Sequence, residues 1–300
     1  TAYDTASSSS DDIAKPLEAG GSVAALLVDG DLKLGAIGTV TYVDGKQMVA
    51  FGHPFLKHGS ANYFMHNANI FTVVKSYESA FKLGSMGREI GTVTEDRGAG
   101  IAGVSGTISS GIPVRFHLKD IDMGRDKQSN VKVIEDKDMT PTLAATALYN
   151  MLNKTLDRSG AGTAKITYTI TPRNGEQKSL TRTNMFYSSE SISEKTVDEF
   201  YNVIDVLMNN RFINYEIADI NVETEVTQDK KTAKLVDAAA SSTVVSPGDT
   251  IVVDVTLEPY RGEKVNKEVF FTVPKDQPLG KYTLEAVSYT HLRAHETVLD

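Results

Sequence analysis

Residues 38–59, GTVTYVDGKQMVAFGHPFLKHG, restrict the possible folds more than any other stretch. Two apolar-rich runs flank Asp44-Gly45. A two-residue turn that follows the twist of its strands needs central residues that tolerate positive φ, and Asp and Gly both do. The pair predicts a β-hairpin in which residues 35–43 pair with residues 46–52 across Asp44 and Gly45. The second strand carries its own stop. Pro54 offers no N–H to a ladder and steers the residue before it away from α geometry, so the strand ends with the His53 imidazole at its rim. Gly52 has no side chain, which lets another segment approach beside that ring.

An ordered set of blocks runs through this part of the chain: Gly30-Asp31, Ala36-Ile37-Gly38-Thr39-Val40-Thr41-Tyr42 and Ala50-Phe51-Gly52-His53-Pro54-Phe55. Further blocks are Ser79-Ala80-Phe81-Lys82-Leu83, Ile90-Gly91-Thr92-Val93 and Asp96-Arg97-Gly98-Ala99-Gly100-Ile101-Ala102-Gly103. The set resembles the SpoIVB-type serine peptidase domain of bacterial sporulation and envelope proteins. It covers roughly residues 17–118, and its order is more specific than any one block. It implies a chymotrypsin-like β-barrel peptidase of an extracytoplasmic compartment, periplasm or cell surface, with His53 as general base. The family's nucleophile belongs to a Gly-Met-Ser-Gly-Ser-Pro block, N-terminal to the Gly-His block in the large envelope-type members. This chain contains no such block.

The composition narrows the function classes. A formal charge of −8 argues against a nucleic-acid partner, whose phosphates draw affinity from clustered Lys and Arg. Zero cysteines remove disulfides, thiolate metal sites and a cysteine nucleophile. No apolar run approaches the length that spans a bilayer, so no transmembrane segment is expected. The chain begins at Thr1 without a signal-type apolar segment, which fits a processed chain or a fragment.

The expected fold class is mainly β with two helices. Residues 1–16 read as a linker because a serine run closed by Asp11 and Asp12 cannot bury a core face. Residues 17–135 form the peptidase-like β-barrel domain, with residues 54–69 read as irregular. Residues 136–215 form a helix-hairpin-helix segment. In it Thr140 is the N-cap of a helix running toward Gly160, residues 163–171 and 177–187 pair, and residues 193–209 form the second helix. Residues 216–287 alternate between turns and read as an immunoglobulin-like β-sandwich, truncated. Residues 288–300, SYTHLRAHETVLD, match no period and read as a non-native tail.

A serine peptidase needs a base, a carboxylate to hold its tautomer, a hydroxyl nucleophile and an oxyanion hole. His53, Asp96 and Ser105 are the candidate catalytic residues, since Gly103-Val104-Ser105-Gly106 has the look of a nucleophile loop and Asp96 precedes it. The plain alternatives are a histidine capping a strand end and a serine in a glycine-rich loop; the resemblance favours the latter for Ser105. His58 and His66 with His53 raise zinc, but no ligand spacing on a helix supports it, and neither Asp29 with Asp31 nor the run Glu135-Asp136-Lys137-Asp138 shows a calcium-loop pattern. No metal and no cofactor are expected. Two functions follow: a catalytically incomplete peptidase-fold module that binds protein or peptide ligands, or an active extracytoplasmic serine endopeptidase with His53 as base.

Overall fold

The computed structural model describes residues 16–77, 81–175 and 177–285. It is mainly β with two helices. The first six strands are β1 (Ser22–Gly30), β2 (Leu34–Asp44), β3 (Gln47–Ala50), β4 (Gly59–Val74), β5 (Phe81–Arg97) and β6 (Gly100–Ser105). Pairing runs β1-β2-β3-β6-β5-β4 and returns from β4 to β1, every step antiparallel, so the ring closes into a six-stranded barrel. Closure removes sheet edges and leaves an interior to fill. Val40, Met48, Phe64, Met65, Val93 and Ile101 are among the buried side chains that fill the core.

The hairpin is present with its turn one residue further along than expected, so Val43 pairs with Met48 rather than Lys46. Asp44 pairs with Gln47, so the central turn residues are Gly45 and Lys46. Gly45 alone of the two has positive φ, +56°. This is the pattern of a two-residue turn led by glycine, which needs positive φ only at its first central position. The second strand also ends at Ala50 rather than Gly52.

Residues 59–69, expected to be irregular, belong to β4. Their apolar pattern lacks alternation because Tyr63, Phe64, Met65 and His66 are all buried in succession, so both faces of β4 are covered there. A strand buried on both faces reads as a run rather than as period two.

β1 then leaves the barrel. Its last residues, from Val28 to Gly30, pair with β8 (Arg125–Ile134), which pairs with β7 (Gly111–Asp120). Beyond β7 lie β11 (Ile217–Thr227), β9 (Gly162–Pro172) and β10 (Leu180–Ser188). β7 and β11 are parallel, and the chain between them supplies β8, both helices and the β9-β10 hairpin. The boundaries expected at 135 and 216 therefore fall inside this sheet: β7 and β8 extend from the barrel segment, and β11 comes from the segment read as a sandwich.

α1 (Thr140–Leu156) packs on β7 and β8, α2 (Ile192–Asn209) on β9 and β10, and the helices pack on each other. Thr140 is the first helical residue, with Met139 at the N-cap; the Thr140 hydroxyl instead donates to Ile134 O (2.8 Å) and accepts from Asp136 N–H (2.9 Å). α2 starts one residue earlier than expected, because Ser191 caps it by accepting from Glu194 N–H at 3.3 Å. The Ser-x-x-Glu spacing is the capping-box signature. The apolar faces of both helices pack into the core, though Tyr201 stands partly exposed.

β12 (Ala233–Ala240), β13 (Thr250–Pro259) and β14 (Val265–Thr272) form a separate antiparallel three-stranded sheet around Ile251, Val253 and Val255. A second layer, which a sandwich requires, is not among the described residues. Residues 281–285 are not a strand; the expected non-native tail and nearly all of the linker lie outside the described residues. No described helix is long and apolar enough to cross a membrane.

Candidate functional site

The His53 loop is set by what happens just after β3. Phe51 N–H donates to Thr39 O at 2.9 Å, and then Phe51 and Gly52 both take positive φ, +74° and +73°. That conformation costs a phenylalanine energy which the surroundings must supply. They do so through the ring. Phe51 lies on Gly38, where a Cβ would come within 2.2 Å of the ring, so only glycine there admits it. The rings continue outward and inward: Phe51 to His53 at 5.8 Å, Phe51 to Phe55 at 6.1 Å, and Phe55 edge-on to Tyr63 at 6.0 Å.

His53 itself is exposed at the barrel rim. Its Nδ1 lies 2.8 Å from Pro54 O. A carbonyl can only accept, so the neutral ring carries its proton on Nδ1 and presents the Nε2 lone pair outward. A carboxylate performs this tautomer-setting job in a serine triad; here a backbone carbonyl does it. The arrangement can accept a proton at Nε2 from a group placed before it.

Asp96 does a different job. It is fully buried, its Oδ1 accepts from Phe55 N–H (2.9 Å) and its Oδ2 from Leu56 N–H (2.7 Å), with the Tyr63 hydroxyl at 3.4 Å. Both oxygens are committed to the loop behind His53, and neither meets the ring. Burial, reinforced by the Asp96 charge, pushes the Tyr63 hydroxyl far above its ordinary pKa. Asp96 is thus a positioning residue for the loop rather than the orienting member of a triad.

Ser105 is at the other end of the hairpin. β6 runs antiparallel to β3 with Ile101 opposite Ala50 and Val104 opposite Gln47. Four residues of strand separate Ile101 from Ser105, about 13 Å at the usual rise. There the Ser105 hydroxyl donates to Lys46 O at 3.2 Å. The structure brings His53 and the Asp96-bound loop together and leaves Ser105 out. Among the described residues no serine hydroxyl or carboxylate is bonded to the His53 ring.

No family model, curated protein or solved structure matches this chain.

The two histidines weighed with His53 as zinc ligands, His58 and His66, have partners of their own. His58 Nε2 pairs with Asp136 Oδ2 at 2.8 Å. His66, read from the sequence as a loop residue, is 1% exposed in β4. Its Nδ1 lies 2.9 Å from Gly87 O and its Nε2 faces Asp29 Oδ2 at 3.4 Å, an ion-pair approach without hydrogen-bond alignment. Lys33 completes this cluster, donating to Gly87 O (2.5 Å) and Met86 O (3.2 Å) and standing 3.7 Å from Asp29. Burial by itself would raise the Asp29 carboxyl, but His66, the Gly30 N–H and Lys33 together hold it below its usual value. By sequence alone Asp29 is a turn residue, and only the closure of β4 onto β1 joins it to His66. Among the described residues no three His, Asp or Glu side chains gather as a metal site.

Proposed function

We propose that this chain is a SpoIVB-type peptidase-domain protein of the bacterial cell envelope that works as a binding or assembly module for protein or peptide ligands, with a base but no nucleophile in its peptidase-type site. What supports the family reading is placement. The blocks at residues 36–42, 50–55, 90–93 and 96–103 fall on β2, the His53 loop, β5 and the β5-β6 turn of one closed barrel. The chymotrypsin-like reading of that barrel, and an immunoglobulin-like reading of the three-stranded sheet as a docking element, belong to the same proposal.

The observation that carries the loss of activity is the committed geometry around His53. Its tautomer is set, its Nε2 is free toward solvent, and the two residues that would complete a triad are held elsewhere, Asp96 by two backbone N–H groups and Ser105 by Lys46 O. A base without a hydroxyl to activate performs no acyl transfer.

The test is labelling of the purified chain with a fluorophosphonate probe. No labelling is expected. Labelling abolished by both His53→Ala and Ser105→Ala would restore the active endopeptidase; labelling lost only with His53→Ala would assign a different serine.

A further inference from the structure

The β4-β5 hairpin outruns the barrel. β1 ceases to pair with β4 at Asn67, and β6 ceases to pair with β5 at Gly91. Past these points a two-stranded ribbon projects, and its two outer edges are unlike. On β5, Lys33 occupies the carbonyls of Met86 and Gly87, and Gly106 N–H donates to Ile90 O at 2.8 Å. On β4, residues 68–74, ANIFTVV, carry no charge, proline or glycine. Charge and proline are the side-chain devices that blunt an edge against pairing. Among the described residues no backbone group outside β5 bonds to this edge. A bulge between Ile70 and Thr72 re-aims Phe71, which is 62% exposed, with Val73 at 52%.

We propose that the outer edge of β4 from residue 68 to 74 takes one extended strand of a partner protein, a peptide in which apolar side chains alternate with at least one carboxylate. This rests on the reading of the chain as a binding module and names its ligand class and surface. Main-chain hydrogen bonds to a free edge give affinity, and alternate side chains give specificity. Phe71 and Val73 supply the apolar contacts. Charge selects the occupant: residues 68–90 carry Lys75, Lys82 and Arg88 against Glu78 and Glu89, in a chain of net charge −8. Glu89 is engaged by Ser109 N–H (2.8 Å) and Lys132 (3.8 Å), Lys82 donates to Thr39 Oγ1, and Lys75 stands exposed at the end of the edge. A second copy of the ribbon brings the same excess of cations to the edge, whereas a carboxylate-bearing peptide complements Lys75. A lipid surface is disfavoured because unpaired N–H and C=O groups of an open edge do not enter hydrocarbon.

The experiment pans a phage-displayed library of random decapeptides against the full chain and maps bound peptides by hydrogen–deuterium exchange. Expected are enriched peptides with alternating apolar residues and Asp or Glu that slow exchange at residues 68–74. Phe71→Glu should weaken them by about tenfold or more, and Lys75→Glu should remove the preference for acids. Both sites are exposed, and an unchanged melting temperature confirms that the variants fold. Absence of enrichment, protection at the His53 rim instead of the ribbon, ribbon-mediated dimers in sedimentation, or binding to phosphatidylserine vesicles that Phe71→Glu abolishes would each overturn the proposal. Peptide capture at the His53 rim would do so while leaving the binding-module reading intact, and fluorophosphonate labelling would strike that reading without touching the β4 edge.

Discussion

His53 and Asp96 show how one loop divides two roles that a triad would unite. The carboxylate is spent on backbone, so Asp96→Ala should leave two N–H groups without their acceptor and cost about 2–3 kcal/mol of folding stability, read as a lower urea midpoint. The Phe51 ring depends on Gly38, and Gly38→Val should destabilise by about 1–3 kcal/mol through overpacking, with Phe51 displaced. Asp29 gives a pH prediction. Its carboxyl is depressed in the folded chain, so its contribution is present above the ordinary carboxylate pKa and is lost as pH falls through the folded value. Asp29→Asn should therefore be less stable than wild type at pH 7, and the gap should close on acidification below about pH 4. A gap independent of pH would contradict the pairing with His66 and Lys33.

Among elements, the β2-β3 hairpin and α2 are the clearest cases. Gly45 sits at +56° with open space where a Cβ would stand, so Gly45→Val carries backbone strain alone, about 1–2 kcal/mol. A neutral result in the denaturation midpoint would place the turn elsewhere. α2 is held to the sheet by Glu199, which is buried and accepts from Tyr168 hydroxyl (3.0 Å), Arg182 Nε (2.5 Å) and Asn184 Nδ2 (2.5 Å). Burial first and the Glu199 charge second raise the Tyr168 pKa far beyond its ordinary value. The elements legible from sequence are those with local signals: Asp44-Gly45 for the hairpin and Thr140 for the start of α1. Even there the turn shifted by one residue, because Asp44 closes the pair that Gly45 and Lys46 cross. β4 was illegible up to Ile70, since residues buried in succession on both faces show no period of two. Asp29 with His66, and Glu199 with its three donors, join residues far apart in sequence, and no local pattern announces such meetings.

At the scale of the molecule, β1 belongs to both the barrel and the helix-backed sheet, from Val23 to Leu26 in one and from Val28 to Gly30 in the other. Their buried residues form one continuous core, whereas Ile251, Val253 and Val255 form a small separate one. Barrel and helix-backed sheet should thus melt as one transition, with the three-stranded sheet free to melt apart. The division expected from sequence at residues 135 and 216 follows changes of period, while the fold follows strand pairing, and the parallel match of β7 with β11 crosses both boundaries. For function the decisive relation is also one of placement, His53 at one end of β3 and Ser105 at the other. The most direct measurement is turnover of an unfolded protein substrate by the purified chain, wild type beside His53→Ala. No cleavage above the buffer rate is expected in either sample. Cleavage by the wild type that disappears with His53→Ala would contradict the proposed loss of activity.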